Sequence, residues 1–115
     1  MAAINGKQKG KAGELESCEV LRSLFGWTVR RGQQYKGTPD SDDIEVTNTP
    51  ALFWEVKRVE KLSVPKALAR AVLDAGRKTA VLLHRPNRSE WMVTIRAKDI
   101  SAFVHAITNA DEKLG

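Results

Sequence analysis

Two charged residues lie within an apolar segment in the middle of the chain. Glu55 and Lys57 belong to the run ALFWEVK at residues 51–57, whose composition predicts a buried strand. Because side chains alternate across a strand, a spacing of two places the carboxylate and the ammonium on the same face. Ionised groups on a core strand are costly unless they are paired or bound to a metal, and such groups cluster at functional sites. We therefore expect Glu55 and Lys57 to take part in a chemical site.

A further carboxylate, Asp43, opens a short strand pattern twelve residues before Glu55. If the two strands are adjacent, carboxylates ~4 Å apart repel by about 4 kcal/mol at an effective dielectric constant near 20. Such a pair takes up a proton or binds a cation, and Mg²⁺ is commonly held by one or two carboxylates with water and phosphate oxygens. Lys57 beside them could orient or help deprotonate an attacking water. This set of residues predicts metal-assisted phosphodiester cleavage.

Simpler interpretations of these residues stay open. Glu55 and Lys57 could form the solvent-facing side of an edge strand. The neighbouring acids Asp40 and Asp42 are good turn residues, and Glu45 is a weaker reserve candidate for a metal ligand. The acidic segment 40–45 does not fit a calcium-binding loop, because an isoleucine occupies the position of the third oxygen ligand and no glycine follows.

A fourth candidate, Glu14, lies near the start of the first predicted helix. Apolar residues recur at every third position from Ala12 to Phe25, and Gly26 closes the pattern. An acid in the first turn of a helix is also stabilised by the helix dipole, which is the alternative explanation for Glu14.

The elements that must position these residues follow the order αβββαββα. Strands are expected at 27–31, 43–47, 51–58, 79–83 and 91–95, with helices at 12–25, between Ser63 and Gly76, and at 98–110. This order predicts an α/β fold with a mixed β-sheet of about five strands flanked by α-helices. The segment 32–41 has no periodicity, and a loop of this length in a small domain is often functional.

The positive charge of the chain is concentrated in a few places. The 115 residues include 19 Lys and Arg against 14 Asp and Glu, a net charge of +5. Basic residues precede the first acid and the acidic segment, at Lys7, Lys9, Lys11, Arg30, Arg31 and Lys36. The excess favours a polyanionic partner, nucleic acid before membrane, although ordinary basic surface remains the alternative.

Length and composition also limit the organisation of the chain. We expect a flexible basic tail over residues 1–11 and a single domain over 12–115. One cysteine, Cys18, excludes an internal disulfide and a cysteine-rich zinc site. No signal peptide, membrane span or fingerprint for a small-molecule cofactor is visible, so we expect a cytoplasmic protein without such a cofactor.

Taken in order, several motifs resemble those of the PD-(D/E)XK nuclease superfamily. The pattern is most similar to the Hjc-type Holliday junction resolvases, archaeal enzymes with short phage-encoded relatives. The similar segments are KGKAGELE at 9–16, RRGQQY at 30–35, PDSDD at 39–43, EVKRVE at 55–60, KAL at 66–68 and HRPNRSEW at 84–91.

The resemblance implies a restriction-endonuclease-like core and a homodimer that cuts two opposed strands of a four-way DNA junction, in the host cytoplasm if phage-encoded. It implies that Asp43 and Glu55 are metal ligands, that Glu14 completes the metal site and that Lys57 is the catalytic lysine. The metal would be Mg²⁺, with Mn²⁺ able to substitute. The short Pro-Asp element of the family is displaced here, because Asp40 directly follows Pro39. Asp40 and Asp42 therefore stay alternatives for the ligand position, although the spacing to Glu55 favours Asp43.

The resemblance also places a segment of the long loop, with Gln33, Gln34 and Ser41, near the cleaved phosphate. A junction offers shape and phosphates rather than base edges, so basic side chains would contact it without regard to sequence. Those we expect to do so are Lys7, Lys9, Lys11, Arg30, Arg31, Lys36 and Arg58. The second helix and the last strand are candidate dimer surfaces. Three alternatives stay open: a related nuclease for other branched or duplex DNA, a non-catalytic DNA-binding module, and an RNA-directed role.

Overall fold

A computed structural model of the chain describes residues 6–32 and 42–114. The helices are α1 (Gly6–Phe25), α2 (Val64–Ala75) and α3 (Ile100–Leu114), with a short 3-10 turn, Ala97–Asp99, before the last. The strands are β1 (Val29–Arg31), β2 (Ile44–Val46), β3 (Leu52–Lys57), β4 (Thr79–His84) and β5 (Met92–Thr94). The element order agrees with the predicted order. Four of the strands are shorter than predicted at one or both ends, whereas β4 extends one residue beyond its predicted end.

The strands form two sheets rather than the single sheet that the sequence predicted. β1 pairs antiparallel with β2, while β3 pairs parallel with β4 and β4 pairs antiparallel with β5. The two sheets meet where Asp43, just before β2, donates its backbone N–H to the carbonyl of Trp54 on β3. The backbone ladder does not continue beyond this point, because side-chain carboxylates accept the N–H groups of β3 there, as described below.

The two faces of β3 pack against different helices, as the alternation of its side chains predicted. Leu52, Trp54 and Val56 contribute to the larger core cluster, together with residues of α1, α3, β4 and the small sheet. Phe53 on the opposite face packs against Ala71 and other small residues of α2 and β4. The parallel β3–β4 pair is thus buried on both sides.

Helix α1 begins at Gly6, six residues before the predicted start. Residues 6–11, which we expected to be part of a flexible tail, are therefore helical, and residues 1–5 lie outside the described part of the chain. The lysines and glutamine of this segment are good helix formers, and the missing apolar periodicity concealed them. The predicted end of the helix is confirmed: it stops at Phe25, and Gly26 follows with φ of 70°. None of the described helices is long and apolar enough to cross a membrane.

Two glycines permit close approaches of the backbone. A Cβ added to Gly13 on α1 would lie 2.5 Å from the Cβ of Arg58, which follows β3. A Cβ added to Gly32 would lie 2.0 Å from the carbonyl oxygen of Asp42. The first contact brings α1 against the end of β3, and the second brings the chain after β1 against the start of β2.

We expect Gly13→Ala to destabilise the fold by about 1–3 kcal/mol, because the clash involves the root of the Arg58 side chain rather than its flexible end. Gly10→Ala is the matched control: Gly10 lies in the same helix, and an added Cβ meets nothing within 4 Å. The control should stabilise the protein by up to about 1 kcal/mol through helix propensity. Urea unfolding measures both changes, and equal effects of the two substitutions would contradict the proposed close packing.

Candidate active site

A cleft of about 270 Å³ lies at the carboxyl end of β3, beside α1 and the residues that precede β2. Glu14, Asp43 and Lys57 line it, so three of the four candidate residues come together from α1, the start of β2 and β3. Its other lining residues are Gly10, Val56, Arg58 and Val59.

Backbone groups of β3 on both sides of Glu55 form hydrogen bonds with Asp43. Its N–H donates to the carbonyl oxygen of Trp54 at 3.1 Å, and its Oδ2 accepts the N–H of Val56 at 2.8 Å. Trp54 and Val56 are the chain neighbours of Glu55, so these bonds fix the Asp43 carboxylate next to the Glu55 side chain. The start of β2 therefore lies against β3, which is the condition under which we expected the two carboxylates to be close.

Glu55 is half-buried and its carboxyl group interacts directly with Asp43. Burial, followed by the hydrogen bond to Asp43 and the negative charge of Asp43, raises the pKa of Glu55 to about 8, while the nearby Lys57 lowers this pKa. The raised pKa favours a state in which a proton on Glu55 is shared with the neighbouring Asp43 carboxylate, because adjacent carboxylates repel each other when both are ionised.

Glu14 is buried, with 8% of its surface exposed, and its Oε1 accepts a hydrogen bond from Nε of Arg31 at 2.9 Å. Burial raises the pKa of Glu14, and the hydrogen bond from Arg31 opposes this rise. The negative charge of Asp43 raises the pKa of Glu14 as well, which indicates that the two carboxylates are close in space. Glu14 thus belongs to the same electrostatic cluster as Asp43 and Glu55.

Lys57 supplies positive charge to this cluster from the last position of β3. Its charge lowers the pKa of both Glu14 and Glu55. Its backbone is held by the parallel partner strand, where it lies opposite His84 and its carbonyl accepts the N–H of Arg85 at 3.0 Å. An ammonium beside two or three carboxylates can hold a water or a phosphate oxygen in place.

The other described acids of the segment before and within β2 point elsewhere. Asp42 accepts the N–H of Trp54 at 3.1 Å and lies 3.7 Å from the ammonium of Lys78. Glu45 accepts a hydrogen bond from Arg30 at 2.7 Å. Both line a different depression, next to Pro50 and Lys78. Of the described acids in this segment, Asp43 is thus the one that lies beside Glu55, and Asp40 lies outside the described residues. The negative charge of Asp74 on α2 also raises the pKa of Glu55.

The donor set fits a hard divalent cation through two carboxylates. Asp43 and Glu55 offer oxygen ligands in hydrogen-bond contact, the pairing that a Mg²⁺ ion with additional waters and phosphate oxygens requires. Glu14 is near but is paired with Arg31. Within residues 6–32 and 42–114 no group of three or more His, Cys, Asp or Glu side chains is arranged to hold a metal. Asp43 and Glu55 would therefore be the primary ligands, with Glu14 next to them.

The basic residues that we expected to contact DNA differ in their surroundings. Lys11 is exposed on α1, and Arg30 is exposed although it pairs with Glu45. Arg31 is partly exposed and holds Glu14, so it is part of the site rather than free surface. Lys7 and Lys9 lie on α1, but their side chains are outside the described part, as are residues 33–41, which include Gln33, Gln34, Lys36 and Ser41.

Arg58 has a structural environment that the sequence did not predict. Its side chain is only 18% exposed; Nη1 donates to the Asn87 side chain at 2.7 Å, and Nε lies 3.8 Å from Glu16. Glu16 on α1 also accepts hydrogen bonds from Arg85 and from the indole N–H of Trp91. These partners are about 70 residues from Glu16 in the chain, and no local pattern could have revealed them.

No known family model matches this chain, and neither a curated protein nor a solved structure is significantly similar to it. The function must therefore be argued from the residues and from the geometry of the cleft.

We expect the stability of the metal-free protein to depend on pH through Glu55. Because the pKa of Glu55 is raised from 4.5 to about 8 on folding, its contribution is fully present below pH 4.5 and is lost as the pH rises through 8. The free energy of unfolding in EDTA should thus decrease by about 1–3 kcal/mol between these limits relative to Glu55→Gln, which lacks the titrating group. Denaturant unfolding across this range measures the difference, and a difference that grew with pH would contradict the shared proton.

The matched variants Asp43→Asn and Asp42→Asn test whether Asp43 is a metal ligand and Asp42 only a turn residue. Both variants keep a side-chain oxygen to accept the N–H of β3, so both should fold with similar stability. Asp43→Asn should weaken binding of Mn²⁺ by about tenfold or more, as removal of a charged ligand does, whereas Asp42→Asn should leave it within about twofold. Isothermal titration calorimetry with MnCl₂ measures both affinities. A stronger effect of Asp42→Asn would show that Asp42, and not Asp43, is the metal ligand.

Proposed function

We propose that this protein is a Mg²⁺-dependent endonuclease that cuts branched DNA, with the four-way junction as its substrate. The observation that carries the proposal is the contact between the Asp43 and Glu55 carboxyl groups, with Asp43, Lys57 and Glu14 lining one cleft. The order and spacing of these residues, which resemble the Hjc-type resolvases, support the same class of activity. The α/β architecture is consistent with a restriction-endonuclease-like core, which we include in the proposal.

In this proposal each side chain has a defined role. Asp43 and Glu55 hold the cation, which when bound would polarise the scissile phosphate and acidify a water molecule. Glu55 must release its shared proton to act as a ligand, which the cation favours. Lys57 orients the attacking water and donates hydrogen bonds to the phosphate oxygens. Glu14 on α1 lies at the cleft, where its negative charge would stabilise the cation and Lys57.

Arg31 contributes to this arrangement as a positioning residue. Its guanidinium forms an ion pair with Glu14 across 2.9 Å and thereby favours the charged form of a carboxyl group whose pKa is raised by burial. Exposed cations such as Lys11 and Arg30 add sequence-independent attraction for the phosphate backbone. The net charge of +5 supports a polyanionic substrate.

Paired cuts at a junction require two active sites, and we propose a homodimer as the simplest way to supply them. Both candidate surfaces expose apolar side chains: Leu73 on α2 is 76% exposed, and Met92 and Val93 on β5 are 43% and 49% exposed. An apolar groove of about 320 Å³ between α1, β5 and α3 favours the surface around β5.

A non-catalytic DNA-binding module is the second candidate. The pairing of Glu14 with Arg31 favours it, because the described residues do not present a third carboxylate ready to ligate a metal. In that case the acids would serve to join the two sheets, and DNA binding would depend on the basic residues alone.

The test is incubation of the protein with an end-labelled synthetic four-way junction and Mg²⁺, followed by sizing of the products. We expect Glu55→Gln and Lys57→Ala each to reduce the cleavage rate by a factor of at least about 10², because each removes a group needed at the reacting phosphate. Junction binding, measured in Ca²⁺ by fluorescence anisotropy, should change by less than about threefold because neither variant removes the exposed basic surface.

Lys78→Ala is the control, since Lys78 lies next to Asp42 and away from the cleft. It should cut the junction at the wild-type rate. Parallel digests of linear and forked duplexes define the substrate: a preference for linear duplex would rule out a dedicated junction enzyme. Binding of the junction without cleavage in either Mg²⁺ or Mn²⁺ would favour the binding module.

A further inference from the structure

The segment 85–90 between β4 and β5 lies next to the candidate cleft. β3 and β4 run parallel, so the residues that follow both strands are found at the same edge of the sheet. The N–H of Arg85 donates to the carbonyl of Lys57, and the side chain of Asn87 accepts a hydrogen bond from Arg58, which lines the cleft. This turn is therefore adjacent to the site where a phosphate would be cut.

Contacts from several elements hold the turn in one conformation. The N–H of Asn87 donates to Glu60 at 2.9 Å, and the side chain of Arg85 donates both to the carbonyl of Ser89 and to Glu16 on α1. Through these contacts α1, the segment after β3 and the turn itself are joined. The two arginines of this network, Arg58 and Arg85, are paired with Glu16.

Arg88 at the tip of the turn differs from its neighbours in backbone conformation and in exposure. Its φ of 58° is the one left-handed value found for a non-glycine residue in the described part of the chain. An arginine has no steric advantage there, since glycine and asparagine adopt this conformation more readily. The residue is exposed, and no described carboxylate forms an ion pair with it.

We propose that Arg88 is a phosphate-contacting residue on a second DNA-binding surface, formed by the β4–β5 turn beside the cleft. This inference rests on the proposed function, because it requires a nucleic-acid ligand. A strained conformation kept by a network of side chains is typical of a functional position. Within the network Arg58 and Arg85 are both engaged with Glu16, whereas the charge of Arg88 is available to the backbone of a DNA arm that leaves the cleft.

The experiment measures binding of a labelled four-way junction by fluorescence anisotropy in EDTA at several salt concentrations. Arg88→Asn removes the charge and tolerates the positive φ. We expect it to weaken binding about three- to tenfold at ~100 mM salt and to lower the slope of log Kd against log salt by about 1. Arg88→Lys keeps the charge and should retain affinity within about twofold.

Arg77→Asn is the matched control. Arg77 is also exposed, but it precedes β4, and the six residues of that strand place it about 20 Å from the turn. It should bind like the wild type. Arg88→Gly adds a second test, since glycine relieves the strain: its melting temperature should equal or exceed that of the wild type while its affinity falls.

Unchanged affinity in Arg88→Asn or Arg88→Gly, or an equal loss in Arg77→Asn, would overturn the assignment of Arg88 and leave the proposed function intact. Failure of the wild-type protein to bind DNA of any form would instead overturn the proposed function and this inference with it.

Discussion

The arrangement of the whole site depends on how the chain around Asp43 is attached to β3. A continuous sheet would join β2 and β3 through backbone pairs alone. Here the carboxylates of Asp42 and Asp43 accept two of the N–H groups of β3, on Trp54 and Val56, and the backbone of Asp43 supplies a further bond. The same bonds that join the two sheets thereby place the Asp43 carboxylate against Glu55. A proton shared by the pair would relieve the repulsion this creates, and a divalent cation could replace that proton.

A second constraint is the close contact between α1 and the end of β3. Gly13 has no side chain to separate the helix from Arg58, and Glu16 one turn later pairs with Arg58 and Arg85. These contacts bring Glu14 to the cleft as a buried carboxylate, and Arg31 from β1 offsets its burial with an ion pair. Acidic and basic side chains from four different segments thus form ion pairs around one cleft. The polar network replaces, at this end of the sheet, the apolar packing that holds the rest of the core.

Our proposal of phosphodiester cleavage, rather than a purely structural role, rests on the chemistry around Asp43 and Glu55. Carboxylates that merely join strands need not be close to one another, whereas Asp43 and Glu55 are in contact and lie near an ammonium. Arginines in the surrounding shell differ in their pairing: Arg31, Arg58 and Arg85 pair with Glu14 or Glu16, Arg30 is exposed although it pairs with Glu45, and Arg88 is exposed. In the proposed function, the attraction for DNA would reside in the exposed Arg30 and Arg88 together with the basic end of α1.

The sequence by itself determined the element order, the end of α1 at Gly26 and the two faces of β3, because side-chain periodicity and glycine positions encode local structure. It left the contact between Asp43 and Glu55 dependent on whether their strands are adjacent. It did not reveal the early start of α1, where helix-forming polar residues lack an apolar period, or the division into two sheets. Nor could it show that Glu16 contacts Arg85 and Trp91, or that Arg31 and Arg58 turn inward. Those outcomes were decided by the tertiary structure, since ion pairs and hydrogen bonds between distant residues form only once the packed elements bring their side chains within reach.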